Sequence, residues 1–115
     1  MNKILIVDDE EGIRESLKLI LSDNYELILT DSGEQALECL KHDKNIGVVL
    51  LDIKMPRMNG LEVLPKIKKT YPDKKVILVT GYKSVETASE AAKSGADGYI
   101  VKPFKAEEIL RAVTK

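Results

Sequence analysis

Five short apolar runs alternate with five segments of helical periodicity, and that alternation restricts the chain to few folds. The runs are Ile4-Leu5-Ile6-Val7, residues 25–30 around Leu27, Ile28 and Leu29, Gly47-Val48-Val49-Leu50-Leu51, Val76-Ile77-Leu78-Val79-Thr80, and Tyr99-Ile100-Val101. Continuous apolar character in such runs marks strands covered on both faces, as in a parallel sheet. Between them, Ile13, Leu17, Ile20 and Leu21 fall at i, i+4, i+7 and i+8, one face of a first helix. Ala36, Leu37 and Leu40 mark a second, opened by Asp31-Ser32-Gly33, with Glu34 three residues after Asp31 in a box-like arrangement. A third is expected over residues 61–69 with Leu61, Leu64 and Ile67 inward. Pro65 within it removes a backbone donor and crowds the carbonyl four residues back, so a kink or a later start is expected. Val85, Ala88, Ala91 and Ala92 share one face of a fourth helix, and Ile109, Leu110 and Val113 one face of a fifth over residues 107–113.

Strand then helix, five times over with short connections, implies one α/β domain over residues 1–115. The sheet should be parallel, with helices on both faces and right-handed crossovers. The pattern leaves strand order open; doubly wound, flavodoxin-like domains of five strands commonly use 2-1-3-4-5. Hydrophobic residues at 43% and charged residues at 32% suit a globular chain. Eighteen basic and nineteen acidic side chains leave a formal charge of -1, which gives no general attraction to nucleic acid or to anionic membranes. No direct nucleic-acid partner is expected. The single cysteine, Cys39, cannot form an internal disulfide, in keeping with a reducing compartment. The apolar runs are too short to span a membrane, and Met1-Asn2-Lys3 followed by four apolar residues is not a signal peptide. A cytoplasmic location is the expectation.

The carboxyl ends of the runs carry Asp8 and Asp9, Asp52, Thr80 and Lys102. In a parallel sheet those ends share one edge, where open α/β sheets bind ligands. Asp52 ends a buried run and precedes the loop Ile53-Lys54-Met55-Pro56-Arg57-Met58-Asn59-Gly60, so it lies too far from the next helix to be its cap. Three carboxylates in one crevice repel one another, and a divalent cation relieves the repulsion. Oxygen ligands with room for water favour Mg²⁺, and the absence of cysteine and histidine argues against zinc. A carboxylate, Mg²⁺, a lysine and a hydroxyl are the parts that phosphoryl transfer needs.

These residues, taken together, resemble the receiver (CheY-like) domains of two-component response regulators. The resemblance runs from Ile4-Leu5-Ile6-Val7-Asp8-Asp9 through Leu51-Asp52-Ile53-Lys54-Met55-Pro56-Arg57-Met58-Asn59-Gly60 to Tyr99-Ile100-Val101-Lys102-Pro103-Phe104. It implies a phosphorylation-dependent switch whose phosphoacceptor is Asp52, loaded from a phosphohistidine on a sensor histidine kinase. It implies Mg²⁺ held by Asp9 and Asp52, with Asp8 assisting and the Lys54 backbone carbonyl as a further ligand. Thr80 then matches the switch hydroxyl, Tyr99 the aromatic that rotates with it, and Lys102 the lysine that pairs with the phosphoryl oxygens. The peptide bond before Pro103 matches one that is cis in the family. Thr80-Gly81-Tyr82-Lys83-Ser84-Val85-Glu86-Thr87-Ala88 looks most like the N-terminal receivers of nitrogen-regulation-type (sigma-54 activator) regulators. The alanine-rich inward face of the fourth helix buries little apolar surface, so residues 81–98 are expected to be the moving region. By the likeness, the fourth helix, fifth strand and fifth helix form a surface for a homodimer or for an output domain outside this chain. No output domain is read in the chain, so neither DNA binding nor ATP hydrolysis is expected of it, and the domain is not expected to be an enzyme beyond assisting its own phosphorylation and dephosphorylation.

Other readings meet specific residues. A phosphohydrolase of the haloacid dehalogenase type resembles Asp-x-Asp at the nucleophile; here the second position is Lys54. A receiver used only for interaction usually lacks the acidic pair or the phosphoacceptor, and this chain has both. A flavin carrier of the same fold needs a hydroxyl- and glycine-rich loop after the first strand, where Asp8-Asp9-Glu10-Glu11 stands. His42 and Cys39 read as surface and packing residues, Met55 and Met58 as loop fillers. The lysines at 66, 68, 69, 74 and 75 read as a solvated face.

Overall fold

The computed structural model describes residues 3–115. Strands β1 (Lys3–Val7), β2 (Glu26–Thr30), β3 (Ile46–Leu51), β4 (Lys75–Thr80) and β5 (Gly98–Val101) alternate with helices α1 (Glu11–Leu21), α2 (Gly33–His42), α3 (Gly60–Thr70), α4 (Val85–Lys93) and α5 (Ala106–Thr114). The strands form one parallel sheet in the order β2-β1-β3-β4-β5. The parallel sheet is the one expected from the alternation, and its order is the flavodoxin-like one common to five-stranded doubly wound domains. Side chains of one strand point alternately to two faces, so each apolar run fills two cores. Ile4, Ile6, Val48, Leu50, Ile77 and Val79 pack with Leu17 and Leu21 of α1 and Ile109 and Val113 of α5. Leu5, Val7, Val49, Leu51, Val76 and Leu78 face the other way, against α2, α3 and Ala91 of α4.

The order of strands also sets the edge on which chemistry can occur. β1 and β3 are adjacent at the centre, with Val7 paired to Leu51, so the residues that follow, Asp8 and Asp52, leave the sheet side by side. The Asp52 amide donates to the Val7 carbonyl at 2.9 Å and the Asp8 amide to the Thr30 carbonyl at 3.1 Å, which extends the ladder by one residue at the point where the carboxylates emerge.

Several local expectations need correction. The cap of α2 is Ser32, whose hydroxyl accepts from the Gln35 amide at 3.2 Å; the reciprocal bond runs from the Asp31 amide to the Gln35 side chain, so Asp31 and Glu34 do not form the box. Helix α3 does not start late. Asn59 and Glu62 form a capping box at its N-terminus, Val63 and Leu64 are fully buried, and the helix runs through Pro65, which lies on its exposed side. On α4, Val85 is 79% exposed and Ala92 is exposed; Ala91 is buried and Ala88 partly so. Two of its four expected inward residues therefore face solvent.

Nor are the lysines near α3 a uniformly solvated face. Lys68 Nζ donates to Asp97 Oδ2 at 2.7 Å and to the Lys74 carbonyl at 2.7 Å. Lys74 Nζ donates to the carbonyls of Lys44 and Ile46. Lys75 Nζ is buried without a hydrogen-bond partner among the described residues. Burial works against the Asp97 carboxylate, but the Lys68 ammonium and the Val76 amide outweigh it and hold its pKa below the ordinary value. These contacts fasten the end of the sheet opposite Asp52. His42 is exposed beside Glu38 at 2.8 Å, and Cys39 is half-buried against the core.

Candidate functional site

Asp8 and Asp52 are both almost fully buried at the carboxyl edge of the sheet. Their oxygens are held by backbone: Asp8 Oδ1 accepts from the Glu10 amide at 2.9 Å, and Asp52 Oδ1 accepts from the Ile53 amide at 2.8 Å. The second oxygen of each faces Lys102, which arrives from the far end of the chain as β5 ends. Lys102 Nζ stands 2.9 Å from Asp8 Oδ2, 3.4 Å from Asp52 Oδ2 and 3.2 Å from Glu10 Oε1. The Lys102 amide donates to the Thr80 carbonyl at 2.8 Å, which ties the ammonium to the end of β4. Arg14 on α1 donates to the Asp8 carbonyl at 2.8 Å and steadies the loop from its other side.

One ammonium shared among three carboxylates fixes the electrostatics. Burial works against the Lys102 ammonium, but the hydrogen bond to Asp8 and the charges of Asp52 and Asp8 outweigh it, so its pKa rises above the ordinary value. Each carboxylate has only a share of that charge. Burial pushes Asp8 above the ordinary carboxyl value, against the pull of Lys102 and the Glu10 amide. Burial and then the charge of Asp8 push Asp52 the same way. The crevice is thus short of positive charge, which is the condition under which a cation binds.

Oxygens of Asp8, Glu10 and Asp52 lie within 4.8 Å of one another, close enough to share a single metal ion. An all-oxygen donor set of this kind fits Mg²⁺. Asp9 is exposed and lines the same crevice of about 480 Å³, with Glu10, Asp52, Lys54, Thr80, Gly81, Tyr82 and Lys102. The carboxylate that joins Asp8 and Asp52 most closely is therefore Glu10, which sequence reasoning passed over as one more acid after the first strand. The signal was available in the turn: an Asp that accepts from the amide two residues on brings that residue back over itself.

Thr80 is fully buried at the end of β4, and its hydroxyl accepts from the Tyr82 amide at 3.3 Å. The Tyr99 hydroxyl donates to the Tyr82 carbonyl at 2.8 Å, and burial raises its pKa above the ordinary phenol value. Tyr82 thus links the two side chains through its backbone. The Lys102-Pro103 peptide bond is cis. A crevice of similar size lies at the opposite end of the sheet, lined by Leu40, Lys44, Ile46, Tyr71 and Lys74, with no cluster of acids. Among the described residues no helix is long and apolar enough to cross a membrane.

Comparison with known proteins accords with this geometry. Residues 4–114 match the family described as the response regulator receiver domain. Response regulator MprA of Mycolicibacterium vanbaalenii is 40% identical over 109 residues, which cover 94% of this chain and 47% of that protein; the chain spans about half the length of that curated relative. Among solved structures, CheY in the CheX-CheY-BeF3-Mg+2 complex from Borrelia burgdorferi superposes with a TM-score of 0.91 at 31% identity, covering 98% of this chain and 87% of that one. NtrX from Brucella abortus, solved in complex with ADP, superposes with a TM-score of 0.90 at 36% identity, covering 99% of this chain and 26% of that one.

Proposed function

The chain belongs to the response regulator receiver family, whose signalling rests on phosphorylation, and from that premise we propose that Asp52 is its phosphoacceptor. The observation that carries the proposal is the position of Lys102 Nζ, 3.4 Å from Asp52 and 2.9 Å from Asp8, beside the buried Thr80 at the end of the next strand. A carboxylate oxygen of Asp52 attacks the phosphorus of a phosphohistidine on a sensor histidine kinase. The new O–P bond forms as the P–N bond breaks, and the electron pair leaves with the imidazole nitrogen. Charge on the three transferring oxygens needs fixed positive partners, and the Lys102 ammonium supplies one. Asp8, Asp9 and Asp52, with the Lys54 carbonyl, are the groups proposed to hold Mg²⁺. When bound, Mg²⁺ neutralises charge on the phosphoryl oxygens and offsets the repulsion among the carboxylates.

Phosphorylation replaces the single negative charge of the Asp52 carboxylate with a phosphoryl group that carries about -1.5 to -2. Thr80 and Lys102 turn toward the new oxygens, and Tyr99 follows Thr80. Residues 81–98 then shift, and the surface of α4, β5 and α5 changes its fit for a second copy or for an output domain outside this chain. The receiver itself is most like those of nitrogen-regulation-type regulators, in keeping with its likeness to NtrX. In this reading residues 1–115 form one receiver domain in the cytoplasm that promotes only its own phosphorylation and dephosphorylation and binds no DNA itself. The test is mass spectrometry after incubation with acetyl phosphate and Mg²⁺. One added phosphoryl group that maps to Asp52 and is absent from Asp52→Asn is the expected result; stoichiometric labelling of Asp52→Asn overturns the assignment.

A further inference from the structure

Glu10 takes no part in the reading above, yet its carboxylate is one of the three that face Lys102. We infer that Glu10 is a positioning residue that holds the Lys102 ammonium back from Asp52 and so sets how readily the phosphorylated state forms. The inference rests on Asp52 being the phosphoacceptor and on Lys102 pairing with its phosphoryl oxygens.

The geometry is uneven. Lys102 Nζ makes hydrogen bonds to Asp8 Oδ2 at 2.9 Å and Glu10 Oε1 at 3.2 Å, and only a longer ion pair to Asp52 at 3.4 Å. Both hydrogen-bonded acceptors stand on the segment after β1. The turn there is rigid: the Glu10 amide binds Asp8 Oδ1, and Arg14 binds the Asp8 carbonyl. The Glu10 backbone is therefore fixed above Asp8, and its side chain reaches back over the crevice to the ammonium. A phosphoryl group on Asp52 must draw Lys102 away from this pair. Asp8 is buried and its contact is part of the fold, whereas the Glu10 side chain is 63% exposed and its contact can be given up. Glu10 is thus the adjustable member of the trio, and its charge also opposes that of the incoming phosphoryl oxygens.

An exposed pair of this kind is worth about 0.2–1 kcal/mol. Removing it should therefore tighten the phosphorylated state by roughly 1.4- to fivefold. The probe is beryllofluoride, titrated into the whole chain at saturating Mg²⁺ so that any weakening of metal binding is taken out. ¹⁹F NMR reads occupancy, and ¹⁵N NMR reads the Lys102 ammonium. Glu10→Gln should bind beryllofluoride about 1.4- to fivefold more tightly, with the Lys102 resonance of the free protein displaced, and the difference should shrink as ionic strength rises. Glu10→Asp, which keeps the charge on a shorter side chain, should fall between Glu10→Gln and the parent chain. Equal or weaker binding by Glu10→Gln, or an unmoved Lys102 resonance, overturns the role of Glu10. Loss of beryllofluoride binding in the parent chain, or its persistence in Asp52→Asn, instead overturns the phosphoacceptor reading on which the inference stands.

Discussion

Gly60 stands directly against the backbone of Asp52: a Cβ on Gly60 would lie 2.2 Å from the Asp52 carbonyl oxygen and 2.9 Å from its carbonyl carbon. The Gly60 amide also donates to the Ile53 carbonyl at 2.7 Å. The loop after β3 is thus folded back onto that strand, and the first residue of α3 closes it. Glycine is required here for space, since a neighbouring backbone has no side chain that could swing aside.

Gly60→Ala should therefore destabilise the chain by about 1–3 kcal/mol, the range for forced overpacking. For a domain of this size that is a drop in melting temperature of several degrees, on the order of 4–8 °C per kcal/mol. Gly12→Ala is the control, because nothing lies within 4 Å of its added methyl group. Thermal unfolding followed by circular dichroism checks both; an unchanged Gly60→Ala melt means that the loop does not rest on the strand as described.

Asp52→Asn should unfold at a higher temperature than the parent chain at neutral pH. Burial and then the Asp8 charge raise the Asp52 pKa above its ordinary 3.8, so folding favours the protonated form. That contribution is full below the ordinary value and is lost as pH rises through the raised one. At pH 7 the parent chain bears the cost of a buried carboxylate and the amide does not. The gap between the two melts should narrow as pH falls toward the ordinary carboxyl range. A gap that widens on acidification contradicts the direction of the shift.

Millimolar Mg²⁺ should raise the melting temperature of the parent chain, since an ion bound only by the folded state stabilises by RT ln(1 + [L]/Kd). At a hundredfold excess over Kd this is about 2.7 kcal/mol. Asp9→Ala should blunt the rise, as should Asp8→Asn. Differential scanning calorimetry with and without the ion reads it. An undiminished response in Asp9→Ala removes that residue from the ligand set and leaves the cluster of Asp8, Glu10 and Asp52 as the site.

Residues 81–98 should show the largest change in hydrogen exchange when beryllofluoride is added. Helix α4 buries Ala91 alone, whereas α1 buries Leu17 and Leu21 and α3 buries Val63, Leu64 and Ile67. At about 0.8 kcal/mol per buried CH₂, α4 is the least anchored of these helices. Weakly held elements open most readily. A response centred on α1 with residues 81–98 unchanged runs against this ordering.

The layers and the convergence of Asp8, Asp52, Thr80 and Lys102 were legible in the sequence because each depends on a repeated pattern; strand order was not in the pattern and came from what five-stranded doubly wound domains commonly use. Apolar runs mark strands, and parallel alternation brings their carboxyl ends to one edge. What was not legible depends on single contacts. Ser32 rather than Asp31 caps α2, a choice of one residue between two good caps. Val85 reads as an inward residue by spacing, yet it faces solvent at the first position of α4. Pro65 suggested a delayed helix, but a capping box and two buried side chains ahead of it outweigh one missing hydrogen bond. Glu10 reaches the site only through a turn around Asp8, which no periodicity records.

The ion pair between Asp8 and Lys102 joins residues 94 positions apart. A ribosome releases Asp8 and Asp52 long before Lys102, which follows only with the end of β5. A half-made chain therefore carries the carboxylates without the ammonium, and the crevice is charged but incomplete. In the function proposed above, the positive charge that meets the phosphoryl oxygens is thus the last part of the site to be made, arriving only with the end of β5.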